Sequence, residues 1–156
     1  MGSTVSNTTF KSFIKESVEI NGIRQEAINE KSISNVSDYS HRILTLAENS
    51  TSTLLTLGSS NVAGQVNKDS IQYVRITNLD DENSLRLVIN LVDAVPAAAG
   101  SFHLELKPLK SHLVSTKSSS IVAAAGNFTE YNTISTIQAV TPAGSSIDVE
   151  LFFIVS

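Results

Sequence analysis

The chain reads as a mainly β protein. An antiparallel β-sandwich or jelly-roll-like body spans residues 43–156, preceded by an N-terminal arm, residues 1–42, that is extended apart from a short helix. Three observations lead there. From Ile43 onward, short apolar–polar alternations recur at regular intervals. Clusters such as "GSSNVAG", "VPAAAG" and "TPAGSS" separate them with turn-forming residues. The first forty residues lack that rhythm. Short strands with regular turn signals favour an antiparallel sandwich or jelly roll over a parallel sheet.

Within the arm, "FKSFIKESVEING" carries Phe10, Phe13, Ile14 and Val18 at spacings of three and four, which predicts an amphipathic helix ending near Gly22. "IRQEAINEK" is a weaker helical patch, and "SISNVSDYSHR" reads as extended. This segment is too polar to bury itself, so it folds onto the body or onto a neighbouring subunit. Body strands are expected at 43–46, 53–57, 71–78, 84–91, 101–106, 111–115, 119–124, 133–139 and 147–155. In the last, Ile147, Val149, Leu151, Phe153 and Val155 share one face. Its second half also carries Phe152 and Ile154, so both of its sides should be covered.

The clearest stretch is "QYVRITNLDDENSLRLVIN", residues 72–90. It predicts a hairpin in which Leu79 faces Ser84 and Ile76 faces Leu87, gathering the alternating aliphatics on one side. Tyr73, Arg75, Thr77, Arg86 and Asn90 then share the polar side. "DDEN", Asp80 to Asn83, forms the turn, as residues of these types do.

At 156 residues the chain is long enough for one domain with its own core. It has no cysteine, which removes disulfides, thiolate nucleophiles and cysteine-ligated metals together. With a formal charge of −4 and no basic run, it lacks the phosphate-neutralising patch that nucleic-acid binding needs. No apolar run is long enough to cross a bilayer, and no secretory signal is expected. "MGSTVS" satisfies the myristoylation pattern at Gly2, although small polar residues are common in a polar leader. Four glycosylation sequons, at Asn7, Asn35, Asn49 and Asn127, read as accidents of a Ser/Thr-rich composition.

Catalytic signatures are missing. His41, His103 and His112 form no paired metal motif, and His103 with His112 supplies only two ligands where zinc takes three or four. Asp80, Asp81 and Glu82 offer oxygens without the spacing or glycine of a calcium loop. There is no nucleophile elbow and no phosphate loop. No cofactor and no metal are expected. Lys107, Lys110 and Lys117 suit a solvated strand edge, or else a phosphate or glycan contact. A carbohydrate-binding module would need exposed aromatics. The chain has no tryptophan, and among Tyr39, Tyr73 and Tyr131 the hairpin's Tyr73 is the best candidate.

The order of segments resembles small virion structural proteins of tailed phages, particularly phages of marine bacteria. Their "Y-x-R-I-x-N-x-D" strand is matched by Tyr73, Arg75, Ile76, Asn78 and Asp80. Their "F-x-L-x-L-x-P" strand is matched by Phe102, Leu104, Leu106 and Pro108, and their closing "V-E-x-F" by Val149, Glu150 and Phe152. The likeness covers about two-thirds of the chain. One departure is "KPLKS", which lacks the glycine that many such proteins carry after the proline. The resemblance implies a protein that is not an enzyme, made in the host cytoplasm and placed on the virion capsid surface as a decoration or cement protein. A tail, neck or fibre component is the alternative. Implied partners are the major capsid protein and further copies of the chain, in a homo-oligomer. Contact residues expected from the sequence are Phe10, Phe13, Ile14, Val18, Tyr73, Arg75 and Arg86.

Overall fold

The computed structural model describes residues 8–59, 64–92, 100–114, 120–122 and 131–156, with backbone alone at 92, 120–122 and 131–133. Gly2, Asn7, Lys117, Asn127, the ends of the strands expected at 111–115 and 119–124, and the side chain of Tyr131 lie outside what is described. Every regular element among the described residues is a strand. Two long ones come first, β1 (Thr9–Ile20) and β2 (Ile23–Ser34). The body follows as β3 (Asp38–Leu46), β4 (Thr51–Gly58), β5 (Val66–Asn67), β6 (Ile71–Asn78), β7 (Leu85–Val92) and β8 (Ser101–Leu106), then β9 (Ser111–Val114), β10 (Ser120–Val122), β11 (Tyr131–Val140) and β12 (Ile147–Val155). The body's first strand thus includes five residues, 38–42, that the sequence reading assigned to the arm.

The arm is where expectation and structure part. There is no helix near Phe10–Gly22; β1 and β2 form a ribbon paired from Thr9↔Ser34 to Ile20↔Ile23. Asn21 and Gly22 make its turn with φ of 52° and 76°. Two consecutive positive φ values are what an Asn-Gly type I′ hairpin turn requires. The apolar spacing misled because Phe10, Ile14 and Val18 are four apart, a multiple of both the strand period and nearly the helical one. Only Phe13 breaks the strand phase.

In the body, β3, β12, β6 and β9 form one antiparallel sheet in that order, called here the arm-side sheet. The far sheet runs β5-β4-β11-β7-β8, with β10 also on β11, and its β4–β5 contact is parallel. Both sheets contribute to one apolar cluster. Val74, Ile76, Val149 and Leu151 enter it from the arm-side sheet, and Leu85, Leu87, Ile89 and Ile137 from the far sheet.

That arrangement corrects the expected hairpin. β6 pairs with β12 and β9, whereas β7 pairs with β11 and β8, so Leu79 does not face Ser84 across a ladder. Ile76 and Leu87 are both 0% exposed, yet they enter the core from opposite sheets. A hairpin and an arch between two sheets bury the same alternating residues, so alternation does not separate them.

The connection is held by Asn78. Its side chain is fully buried, and Nδ2 donates to the carbonyls of Asn83 (2.8 Å) and Leu106 (3.1 Å) while Oδ1 accepts from the Asp80 amide (3.1 Å). Asp80 continues the turn by accepting from the amides of Glu82 and Asn83. Those hydrogen bonds, Asn83 first and Glu82 second, hold the Asp80 carboxyl below its ordinary value of 3.8. A second crossing between the sheets, Lys107–Lys110, lies beside it: the Asn78 amide donates to Lys110 O, and the Leu109 amide to Asp80 O. Here Pro108 precedes Leu109, which is exposed at φ 56°, and the Lys110 amide closes the turn on Lys107 O. This is the type II pattern, whose third position favours glycine. Leucine in that position carries backbone strain that glycine would not.

Two outcomes are expected in urea denaturation. Asn78→Ala strips partners from two carbonyls and one amide, and should lower stability by about 1–3 kcal/mol; an unchanged midpoint would mean that the corner does not depend on this side chain. Leu109→Gly removes a left-handed penalty of about 1–2 kcal/mol against a glycine entropy cost of about 0.5–1 kcal/mol. A small net gain should follow, and a loss would show that Leu109 is unstrained.

Candidate functional site

The surface that stands out is the arm together with the patch on which it rests. One side of the ribbon carries Phe10, Ile14, Val18 and Ile20 from β1, with Ile23, Ala27 and Ile33 from β2. Its first rung sits on the outer face of the arm-side sheet. Ile33, Tyr73 and Ile154 form a small buried cluster against which Phe10, Val36 and Phe152 pack. The Phe10 ring lies 5.0 Å from Tyr73 and 5.6 Å from Phe152. The chain is also tied down there by backbone hydrogen bonds from Val36 to Thr8 O and from Ser37 to Val155 O.

Beyond that seat the arm is bare. From Phe13 to Glu30 every residue is exposed. Phe13 and Ile28 stand on the opposite side of the ribbon from Ile14 and Val18, among Lys11–Glu30, Lys15–Glu26 and Arg24–Glu26 ion pairs. Such exposed pairs contribute about 0–1 kcal/mol each, and a lone two-stranded ribbon is marginal in water. Exposed apolar strips of this length are a feature that contact surfaces share.

Beneath the seat lies a group of three polar side chains. Glu150 on β12 accepts from His41 Nε2 at 2.8 Å and from Arg75 Nη2 at 2.8 Å. Burial alone would raise the Glu150 carboxyl. The His41 hydrogen bond, the Arg75 charge and a Thr77 hydrogen bond together outweigh it and hold the group below its ordinary 4.5. Arg75 also lies 5.7 Å over the Phe152 ring, and His41 meets that ring edge-on at 6.0 Å. Glu150 thus holds the His41 imidazole and the Arg75 guanidinium on either side of the ring under Phe10.

The expected contact residues separate. Phe10 is used within the chain, whereas Phe13, Ile14 and Val18 are free. Tyr73 is 6% exposed beneath the arm, so its ring is not open for stacking a sugar. Arg75 and Arg86, expected on one face, belong to different sheets; Arg86 is exposed opposite Glu105. His103 and His112 are likewise split between the far and arm-side sheets, with burial lowering the His112 pKa. Among the described residues no three His, Asp or Glu side chains gather as a metal cluster. Sequence reasoning gave Ile33 no role, and named His41 and Glu150 without linking them to each other or to the arm. It also missed Ile20 and Ile23, which the Asn-Gly pair between them could have revealed.

No protein-family model, curated protein or solved structure matches the chain.

Because Glu150 is held below 4.5 in the folded state, its contribution is present at neutral pH and is lost as the pH falls through its folded value. Glu150→Gln should cost about 1 kcal/mol at pH 7, the low end for a charge-assisted bond because both partners are part-exposed. It should also flatten the acid limb of the stability curve, to which Asp80 still contributes. Identical acid limbs in the two proteins would show that the Glu150 contacts do not hold the seat.

Proposed function

We propose that this chain is a non-enzymatic structural protein of a tailed-phage virion, a decoration or cement protein on the capsid surface that joins repeated units through its N-terminal β arm. The observation that carries the reading is the arm itself: a regular ribbon, anchored at one end, with apolar residues exposed along its length. A surface built in this way is suited to a partner, and a particle offers that partner many times over.

The body supports the reading as a β-sandwich of jelly-roll type. Counting its eight principal strands β3, β4, β6, β7, β8, β9, β11 and β12 as one to eight, the sheets run 1-8-3-6 and 2-7-4-5. That is the double Greek key order of jelly rolls, which capsid and lectin domains share. Fold alone does not choose between those two uses. The lectin-like use loses its best candidate because Tyr73 lies under Phe10. Partners under this reading are the major capsid protein and other copies of the chain. A tail, neck or fibre position would use the same arm, and locating the chain in intact particles by cryo-electron microscopy separates these sites.

The direct test shortens the arm without uncovering its seat. Replacing residues 13–30 by Asn-Gly joins Ser12 to Lys31 through the same kind of turn and keeps Phe10 and Ile33 in place. The shortened protein should unfold at nearly the same temperature. In light scattering it should have a lower mass than the full chain, and it should no longer co-sediment with undecorated capsids. Full assembly and capsid binding by the shortened protein would rule the reading out.

A further inference from the structure

The arm leaves a matching surface uncovered on its own body. On the arm-side sheet the seat buries Tyr73 and Ile154, but the apolar surface continues onto β3. Tyr39 is paired directly with Ile154 and is 66% exposed; Ile43, paired with Glu150, is 60% exposed. Both point outward, in phase with His41, on a strand at the sheet edge that pairs with β12 alone among the described strands. The arm's own apolar side continues outward from the same seat in the same way, from Phe10 and Ile33 to Ile14, Val18, Ile20 and Ile23. One chain therefore carries a cover without a surface and a surface without a cover.

We propose that the arm of one copy lies across β3 of a second copy, with Tyr39 and Ile43 receiving the side of the ribbon that carries Ile14 and Val18. This rests on the reading of the arm as the assembly element and names the surface that it engages. The chain's own arm does not fill this role, since both the arm from Phe13 to Glu30 and the outward residues of β3 are exposed. Dimensions agree. At about 3.4 Å per residue, the free part of β1 from Phe13 to Ile20 spans about 27 Å, and the nine residues of β3 about 30 Å. The proposed contact is also continuous with one that already exists, because the same side of the ribbon meets the same face of the same sheet at the Phe10 seat. The open edge of β3 can in addition accept backbone hydrogen bonds from the ribbon.

Among the described residues, the outer face of the far sheet offers no comparable apolar strip. Its outer face carries a polar ladder in which Asn90 donates to Thr136 and Gln138, and Gln138 donates to Thr53. Those groups are already paired with one another. Reciprocal exchange of two arms about a two-fold axis would bury both covers and both surfaces in one closed assembly, the commonest symmetry of homo-oligomers.

A chain without cysteine permits a direct test by cross-linking. Full-length chains carrying Ile14→Cys or Val18→Cys are mixed with chains carrying Tyr39→Cys or Ile43→Cys and then oxidised. At least one of the four mixtures should give a mixed disulfide dimer, since cysteines in register within about 7 Å between Cα atoms can join. Mixing the same arm variants with Thr53→Cys, on the far sheet, should not. Independently, Ile43→Glu should weaken self-association by about ten-fold or more, while Leu109→Glu, at an exposed apolar site elsewhere, should leave it unchanged. Both are surface positions, and a retained unfolding temperature confirms an intact body. If the full chain self-associates through its arm but gives no β3 cross-link and tolerates Ile43→Glu, the receiving surface is elsewhere; this proposal fails and the assembly reading stands. If the full chain is monomeric at every concentration, this proposal fails. If it also ignores capsids, the assembly reading fails with it.

Discussion

The body turns on one buried amide. Asn78 is fully enclosed, and every polar group of its side chain is satisfied by backbone from two separate crossings between the sheets. Burying an amide without partners costs several kcal/mol on an alkane scale, so this site tolerates few alternatives. Asparagine offers both donors and an acceptor on a short stem. Aspartate would bring an uncompensated charge to two carbonyls, and leucine would leave three backbone groups unpaired. By linking Asn83, Asp80 and Leu106 at one point, the side chain sets where β6 leaves one sheet and β7 enters the other.

Once the chain crosses there, the core follows. β6 and β7 then present Ile76 and Leu87 toward each other from opposite sheets rather than side by side in one. β12 fills the centre of the arm-side sheet between β3 and β6, and β11 the corresponding place between β4 and β7. The far sheet satisfies its outer face with the Asn90–Gln138–Thr53 ladder. The arm-side sheet instead sets aromatic and aliphatic groups outward around the Glu150 ion pairs. That asymmetry decides which side of the body carries the arm and, in our proposal, which side receives another.

The seat illustrates how charge and packing cooperate. Glu150 holds His41 and Arg75 on either side of Phe152, and Phe10 closes over the resulting platform beside Tyr73. A carboxylate between a histidine and an arginine can look like part of a catalytic site when read from residue types alone. Here Glu150 accepts from His41 and Arg75, which lie on either side of the Phe152 ring.

Much of the body was legible in the sequence. The strands expected at 71–78, 101–106 and 147–155 have those bounds in the structure, because period-two alternation between turn residues is a local property. The inward phase of Ile76, Leu87 and Leu151 was legible for the same reason. The arm was legible only in part. Its lack of a core of its own could be read from composition, but Phe10, Ile14 and Val18 fit either periodicity, and the Asn-Gly turn that settles the matter was overlooked in favour of the helical spacing. Strand partnership was not legible at all. "ITNLDDENSLRL" specifies two alternating strands and a turn, and both a hairpin and an arch satisfy those local demands. The choice is made by groups distant in the chain, Leu106 and Lys110 against Asn78, and Asp148 against Leu79. The same holds for the seat, which gathers Phe10, His41, Tyr73, Arg75 and Phe152 from four strands. Local pattern determined which residues face inward; long-range pairing alone decided what they face.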